Sequence, residues 1–238
     1  MDLPRIDNEL DVLSDLVPLD KQRIIELGCG SARLLRDLLQ AHPSSQGLAL
    51  EVDERQHAKN LAAPQDRLTF AAGGAQAIAQ PDASFDLALM LKSLHHVPMP
   101  LMDQALAEVA RVLRPGGHLY VSEPVYEGEM NEVVRLFNDE GVVRAAAQRA
   151  VDAALAPARG PALWQAAREV RFMTCVSFRD FADFEQRMMR PTFADHQLDD
   201  AKVARVRAAF EPHMTPTGVD FVRPMHVRLL RRTTALKA

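Results

Sequence analysis

The residues best suited to chemistry in this chain sit in one short run, Glu26-Leu27-Gly28-Cys29-Gly30-Ser31-Ala32-Arg33. The apolar stretch Arg23-Ile24-Ile25-Glu26-Leu27 closes on it, and a leucine-rich amphipathic stretch follows. Glycines at 28 and 30 let the backbone turn sharply and let a ligand lie against bare main chain. The free N–H groups that open the next helix suit a carboxylate or a phosphate. A further acid, Glu51, falls 23 residues after Gly28, at the tip of Gly47-Leu48-Ala49-Leu50-Glu51-Val52. A carboxylate there can accept hydrogen bonds from both hydroxyls of an adenosine ribose. Alone, Glu51 reads equally well as an exposed strand-end acid beside Asp53 and Glu54; the glycine loop before it favours the ribose.

The glycine spacing discriminates between adenosine cofactors. A dinucleotide loop takes the form G-x-G-x-x-G, its last glycine bringing the helix close to a pyrophosphate. Here the sixth position is Arg33. S-adenosylmethionine (SAM) carries no pyrophosphate, only a methionyl carboxylate and a cationic sulfonium, so it does not require that glycine. The spacing favours SAM over a nicotinamide dinucleotide.

Other candidates follow later strands. His95 and His96 come after the apolar run Phe85–Leu91. Either is a general base near neutral pH or a shaper of the loop, with His96 the more buried of the two. Glu123 and Tyr126 mark the tip of the fifth strand, and strand C-termini are where such sheets place ligands. Cys29 lies near a helix N-terminus, where a thiol can be activated, but a small buried filler is the plainer reading. Asp86 reads as a sheet-ordering acid, and Met188-Met189 as core filler. Two cysteines and eight histidines show no metal-binding spacing, so no metal site is expected.

Positioning these residues demands alternating strands and helices. Apolar spacing predicts a helix over residues 6–17 and strands over 23–27, 47–52, 67–71, 85–91 and 118–123. A helix with Ser31 as its N-cap and Leu34, Leu35, Leu38 and Leu39 as its buried stripe, and helices over 54–62 and 101–113, fill the gaps. This is an α/β, doubly wound, Rossmann-like and mostly parallel sheet. After Pro124 the pattern turns helical over 127–156, with no strand-like run until about Val170. Ser177 and Asp180 form a capping box opening a helix to Met189, and a further helix covers 199–211. A last strand runs from Phe221 to Leu230, where Pro224 argues for an edge or a bulge. The expected organisation is one domain over 1–238. It comprises an N-terminal helix (1–20), a cofactor-binding core (21–124), a helical insertion capping the acceptor (125–215), and a final strand and tail (216–238).

Composition sets the surroundings. The 238 residues carry a formal charge of −4, with 47% apolar and 25% charged residues. That gives no broad cationic field for nucleic acid or anionic lipid. No 18-residue apolar run occurs, and the start, Met1-Asp2-Leu3-Pro4-Arg5, lacks a basic leader. A cytoplasmic protein without membrane or nucleic-acid partners is expected, as a monomer or homodimer.

Five ordered motifs carry a resemblance: Ile25-Glu26-Leu27-Gly28-Cys29-Gly30, Leu50-Glu51-Val52-Asp53, Ser84-Phe85-Asp86-Leu87-Ala88, Leu94-His95-His96-Val97 and Arg111-Val112-Leu113-Arg114-Pro115-Gly116-Gly117. Across residues 20–124 the chain resembles the class I SAM-dependent methyltransferases, of the type 11-like group related to ubiquinone and menaquinone enzymes. The resemblance implies that Glu26, Gly28, Cys29 and Gly30 shape the site for the methionyl end, and that Glu51 holds the ribose. It implies that Val52 packs on the adenine, that Gly73-Gly74-Ala75 border its edge, and that Met90-Leu91-Lys92 line the methionyl amine and sulfonium. Relatives often place an aspartate at the position of Gly74. This chain has no side chain there, so a weaker or rearranged adenine contact, with the Ala75 backbone N–H meeting the ring, is expected.

The implied reaction is methyl transfer to a small organic acceptor, leaving S-adenosyl-L-homocysteine. The insertion and the N-terminal helix would roof the acceptor, with Trp164, Phe172, Phe178, Phe181 and Phe193 either lining it or forming the insertion's own core. Arg135, Arg144, Arg149 and Arg168 either meet an acidic substrate or lie on solvated helix faces. A SAM-binding sensor or partner subunit without catalysis is the alternative, and a nicotinamide dehydrogenase is disfavoured by Arg33.

Overall fold

The computed structural model describes residues 3–156, 162–191 and 194–233. Seven strands form one sheet in the order β3-β2-β1-β4-β5-β7-β6. These are β1 (Arg23–Leu27), β2 (Gln46–Glu51), β3 (Leu68–Ala72), β4 (Phe85–Leu91), β5 (Leu113–Pro124), β6 (Trp164–Phe178) and β7 (Val219–Arg232). The pairings from β3 through β5 are all parallel, and β7 alone is reversed against both of its neighbours. The central strand β4 is buried on both faces, which is why its sequence is a nearly unbroken apolar run. The strand order reverses direction at β1 and β4, where the tips of the two strands diverge and leave a crevice.

Helices α1 (Glu9–Leu16), α2 (Arg33–Ala41), α3 (Glu54–Leu61) and α4 (Met102–Val112) flank the first five strands. One apolar cluster joins Leu13, Leu35, Leu38 and Leu39 to Ile24, Ala49 and Leu89 on one face of the sheet. A second joins Ile25, Ala88 and Val121 to Val109 of α4 and Val151 of α6 (Gly141–Leu155) on the other. A third lies under the later helices, α5 (Glu129–Val134), α7 (Phe181–Phe184) and α8 (Asp200–Phe210). No helix among the described residues is long and apolar enough to cross a membrane.

Four local expectations are corrected. The strand-like run expected only from about Val170, inside the insertion expected to be helical, is β6, a 15-residue strand that already starts at Trp164. Its first half escaped pattern reading because it forms the edge of the sheet, where solvent permits Gln165, Arg168 and Glu169 in a strand. Pro224 is consequently not at an edge, since β7 is interior. It lies one residue past the last β5 partner, where its missing donor breaks no ladder bond, and its carbonyl accepts from Val125 N at 2.9 Å. Ser31 does not cap α2, because Ala32 occupies that place in a left-handed conformation with no side-chain bond. Ser177 lies within β6, one residue before its end, and the cap of α7 is Asp180, whose carboxylate accepts from Asp183 N at 2.8 Å. A short π-helical turn then runs over Glu185–Met189.

Candidate active site

The β1–α2 turn is built for close approach. Gly28 and Gly30 adopt φ of 65° and 52°, the left-handed region that disfavours side chains. A Cβ on Gly28 would stand 2.9 Å from Ser93 Cβ, whereas nothing lies within 4 Å of one on Gly30. Ser93 is itself fixed by its hydroxyl, which donates to Leu27 O at 2.7 Å. Cys29 is buried, and its backbone N–H donates to Leu50 O. Burial first, then Glu26 and Glu51, push its thiol far above the usual range, so it is no nucleophile.

Glu51 is oriented by main chain alone. Its Oε2 accepts from Gly30 N at 2.7 Å, and its Oε1 accepts from Val52 N at 2.8 Å and Asp53 N at 2.9 Å. The acid thus ties the tip of β2 to the glycine turn. Val52 beside it is 65% exposed, an apolar face offered to whatever lies over it. Gly73 N donates to Glu51 O, which brings the loop after β3 alongside. At Gly74 the carboxamide of Gln76 stands 2.5 Å from where a Cβ would project, so Gln76 occupies the space an aspartate at 74 would use. Ala75 turns its methyl into the core.

Glu26 lies at the floor, 3% exposed, and its Oε2 has no hydrogen-bond partner. Burial pushes this carboxyl up to about 8, against the pull of Lys92 and with added repulsion from Glu9 and Glu51. An orphaned buried acid beside a glycine cradle fits a cationic ligand such as the methionyl ammonium of SAM, and Glu51 with exposed Val52 fits its nucleoside. Lys92, at φ 57° just past β4, donates from Nζ to Glu9 Oε2 at 3.0 Å. Tyr120 OH reaches the other Glu9 oxygen at 3.4 Å. Glu9, on the N-terminal helix, was missed by sequence reading, since nothing local distinguishes it from a solvated first-turn acid.

The histidines divide. His95 is buried and His96 exposed, the reverse of the expectation, because the 3-10 turn Leu94–His96 directs the first ring inward. His95 Nδ1 is hydrogen-bonded to Glu123 Oε2, and Glu123 Oε1 accepts from Leu94 N at 2.9 Å. On the other side His95 Nε2 lies 3.8 Å from Glu140 Oε2, which Arg144 holds at 2.5 Å. Burial raises the Glu140 carboxyl, but His95 and Arg144 outweigh it and keep it below its ordinary value. The His96 ring rests 4.1 Å from that of His95, and desolvation with His95 lowers its pKa. His95, His96 and Glu140 also present ligand atoms within 4.8 Å of one another, a cluster invisible to motif spacing because Glu140 is remote in sequence. Arg144 donates to the same Glu140 oxygen at 2.5 Å, so that atom is already hydrogen-bonded within the protein.

Tyr126 is not part of this group. Its hydroxyl donates to Asp139 Oδ1 at 2.7 Å, and the same oxygen accepts from Gly141 N at the start of α6. Asp86 ties Arg23 N and Arg114 together, as a sheet-ordering acid should.

Beyond Lys92 and His95 opens a cavity of about 190 Å³. Val125, Met130, Val134, Phe137 and Met188 give it an apolar wall. Phe178 and Phe181 pack instead with Phe184, Phe210 and Phe221 in the cap's own core, while Trp164 and Phe172 join the two sheet-face clusters. Phe193 lies outside the described residues. Of the four arginines singled out, only Arg144 lines the cavity; Arg135, Arg149 and Arg168 are exposed. A larger hollow of about 490 Å³, bordered by Arg179 and Asp220, shares Arg187 with this cavity and takes no lining from the glycine turn or His95.

Residues 24–117 match the methyltransferase domain family. That segment is a methyltransferase domain, and the sheet built on it, with β7 reversed and the order 3-2-1-4-5-7-6, has the Rossmann-like fold of methyltransferases. Among curated relatives it is 32% identical over 118 residues to a 27-O-demethylrifamycin SV methyltransferase of Amycolatopsis mediterranei, covering 48% of this chain and 43% of that one. It is likewise 32% identical to the ubiquinone/menaquinone biosynthesis C-methyltransferase of Dinoroseobacter shibae, over 48% and 47% of the two chains. The matched segment therefore spans less than half the length of these relatives. In fold it is similar to the YcgJ protein of Bacillus subtilis, with a TM-score of 0.63, 15% identity, and coverage of 95% of this chain and 99% of that one.

Proposed function

We propose that this protein transfers the methyl group of SAM to a small organic acceptor held in the cavity beyond His95. The observation that carries this reading is that Lys92 borders both the Glu26–Glu9 group and the cavity, so donor and acceptor meet at the tip of β4. When bound, SAM supplies a methyl group already activated by its sulfonium, and transfer leaves S-adenosylhomocysteine. Glu51 accepts from the ribose hydroxyls, Val52 lies under the adenine, and Gln76 takes the adenine contact that Gly74 cannot make. Leu91 and Lys92 border the methionyl end, and Glu26 faces its ammonium.

The protein's remaining work is alignment, exclusion of water and, where the acceptor bears a proton, its removal. His95 is placed for that removal. Glu123 holds Nδ1–H, which leaves Nε2 as the basic atom facing Glu140 and the cavity. The two carboxylates balance the imidazolium that forms, while His96 shapes the loop beside it. The cap and the N-terminal helix close over the acceptor within a single domain.

Calorimetry with SAM, S-adenosylhomocysteine and NAD tests the donor half of this reading. Binding of both sulfur compounds and none of NAD is expected; binding of NAD alone sinks it. Binding without S-adenosylhomocysteine formation across a broad acceptor panel would instead favour the non-catalytic alternative.

A further inference from the structure

The cavity beyond His95 is asymmetric in charge. Three of its cations are neutralised within the protein, Lys92 by Glu9, Arg144 by Glu140 and Arg187 by Asp183. The fourth, Arg223 on β7, forms no ion pair among the described residues, and its buried Nε has no hydrogen-bond partner. Desolvation first, then the charge of Arg144, lower its pKa, against weaker opposing pulls from Glu9 and Glu140. A desolvated guanidinium without a counter-charge is costly, and the cost is recovered when an anion arrives.

Arg223 is not isolated in this respect. Asn131 also lines the cavity; its Oδ1 accepts from Arg144 at 3.3 Å, and its buried Nδ2 donor is unpartnered. His196 completes the set. Its Nδ1 lies 2.9 Å from Met189 O, which can only accept, so Nδ1 carries the proton. The buried, unpartnered Nε2 is then a hydrogen-bond acceptor. Two donors and one acceptor thus stand unpaired around one apolar-walled space.

Resting on the methyltransferase reading above, we propose that the acceptor is a small, largely apolar carboxylic acid whose carboxylate is held by Arg223 and Asn131. A hydroxyl or N–H elsewhere on the molecule donates to His196. Arg–carboxylate recognition is charge-assisted and directional, so it fixes the far end of the acceptor while the near end faces Lys92 and His95. The apolar wall of Val125, Met130, Val134, Phe137 and Met188 selects an aromatic or short aliphatic body between them.

The experiment compares benzoate and 4-hydroxybenzoate with their primary amides, by calorimetry on the protein saturated with S-adenosylhomocysteine. At least one carboxylate should bind, at least tenfold more tightly than its amide. Arg223→Met should abolish that preference and leave S-adenosylhomocysteine affinity unchanged. It should also raise the melting temperature, since a buried charge without a partner is removed; Arg223→Lys keeps the charge and should retain part of the preference. Amides binding as well as acids, or no acid binding at all, would overturn the assignment. A loss of S-adenosylhomocysteine affinity in Arg223→Met would place the arginine on the cofactor and overturn it too. If the sulfur compound fails to bind the unaltered protein, the methyltransferase reading falls first, and the acid–amide comparison without it still tests Arg223.

Discussion

The tips of β1, β2 and β4 and the cavity under the cap handle polar groups in opposite ways. At the strand tips nearly every polar atom is held by main chain: Glu51 by three backbone N–H groups, Ser93 by Leu27 O, Cys29 N by Leu50 O. Under the cap, side chains drawn from α5, β7 and the loop before α8 leave donors and acceptors unpaired. Glu26 apart, the first region is finished before any ligand arrives, as would suit the unvarying cofactor of the proposed reaction. On the proposed reading, the second is completed only by its ligand and is therefore where specificity would reside.

The sharpest way to break that contrast is Glu51→Ala. Two charge-assisted hydrogen bonds to a ribose are worth at least about 3 kcal/mol together, or roughly 100-fold in affinity. SAM binding should fall by that order, while the carboxylate-over-amide preference of the cavity survives. Unchanged SAM affinity by calorimetry would mean that the carboxylate only staples β2 to the glycine turn.

The same contrast explains what could be read without coordinates. Glycines at 28 and 30 and an acid at 51 are local signals, because backbone geometry imposes residue type over a few positions. The alternating strands and helices through β5 were legible for the same reason, each burying a face with its own period. Arg223, Glu9 and Glu140 were not, because each acts through a fold that joins segments remote in sequence. The first half of the edge strand β6 was hidden differently: it meets solvent, so its charged residues erase the alternation that marks a strand. His95 and His96 were legible as a pair but not as individuals, since the direction of a short 3-10 turn decides which ring is inside.

A middle-sized effect concerns Glu26, the one strand-tip group left unsatisfied. Its carboxyl is raised from 4.5 to about 8 by burial, so the folded protein holds a proton there that the unfolded chain releases. Its contribution to stability is complete below about pH 4.5 and is lost as pH rises through about 8. Facing a cationic ammonium, the same group must ionise. SAM binding between pH 6 and 7.5 should therefore release close to one proton, and affinity should climb toward tenfold per pH unit. Calorimetry in phosphate and Tris buffers reads the proton directly. Glu26→Gln should abolish the buffer dependence and flatten the loss of stability between pH 4.5 and 8. Equal heats in both buffers with the unaltered protein would show that Glu26 does not meet the ligand's charge.

The smallest effect tests whether a side chain can stand in for one missing two residues away. Gln76 fills the space over Gly74, and a single neutral hydrogen bond to an adenine edge is worth about 0.5–1.5 kcal/mol. Gln76→Ala should weaken SAM binding by about two- to tenfold and leave the binding of a carboxylate in the cavity untouched. Adding Gly74→Asp to that variant should restore affinity, because the freed space admits the new carboxylate and the φ at 74 is not in the left-handed region. If Gln76→Ala changes nothing, or the double variant binds no better than the single, the carboxamide is only a space filler. The adenine would then be held by main chain alone, which would extend the rule for this region to its last polar contact.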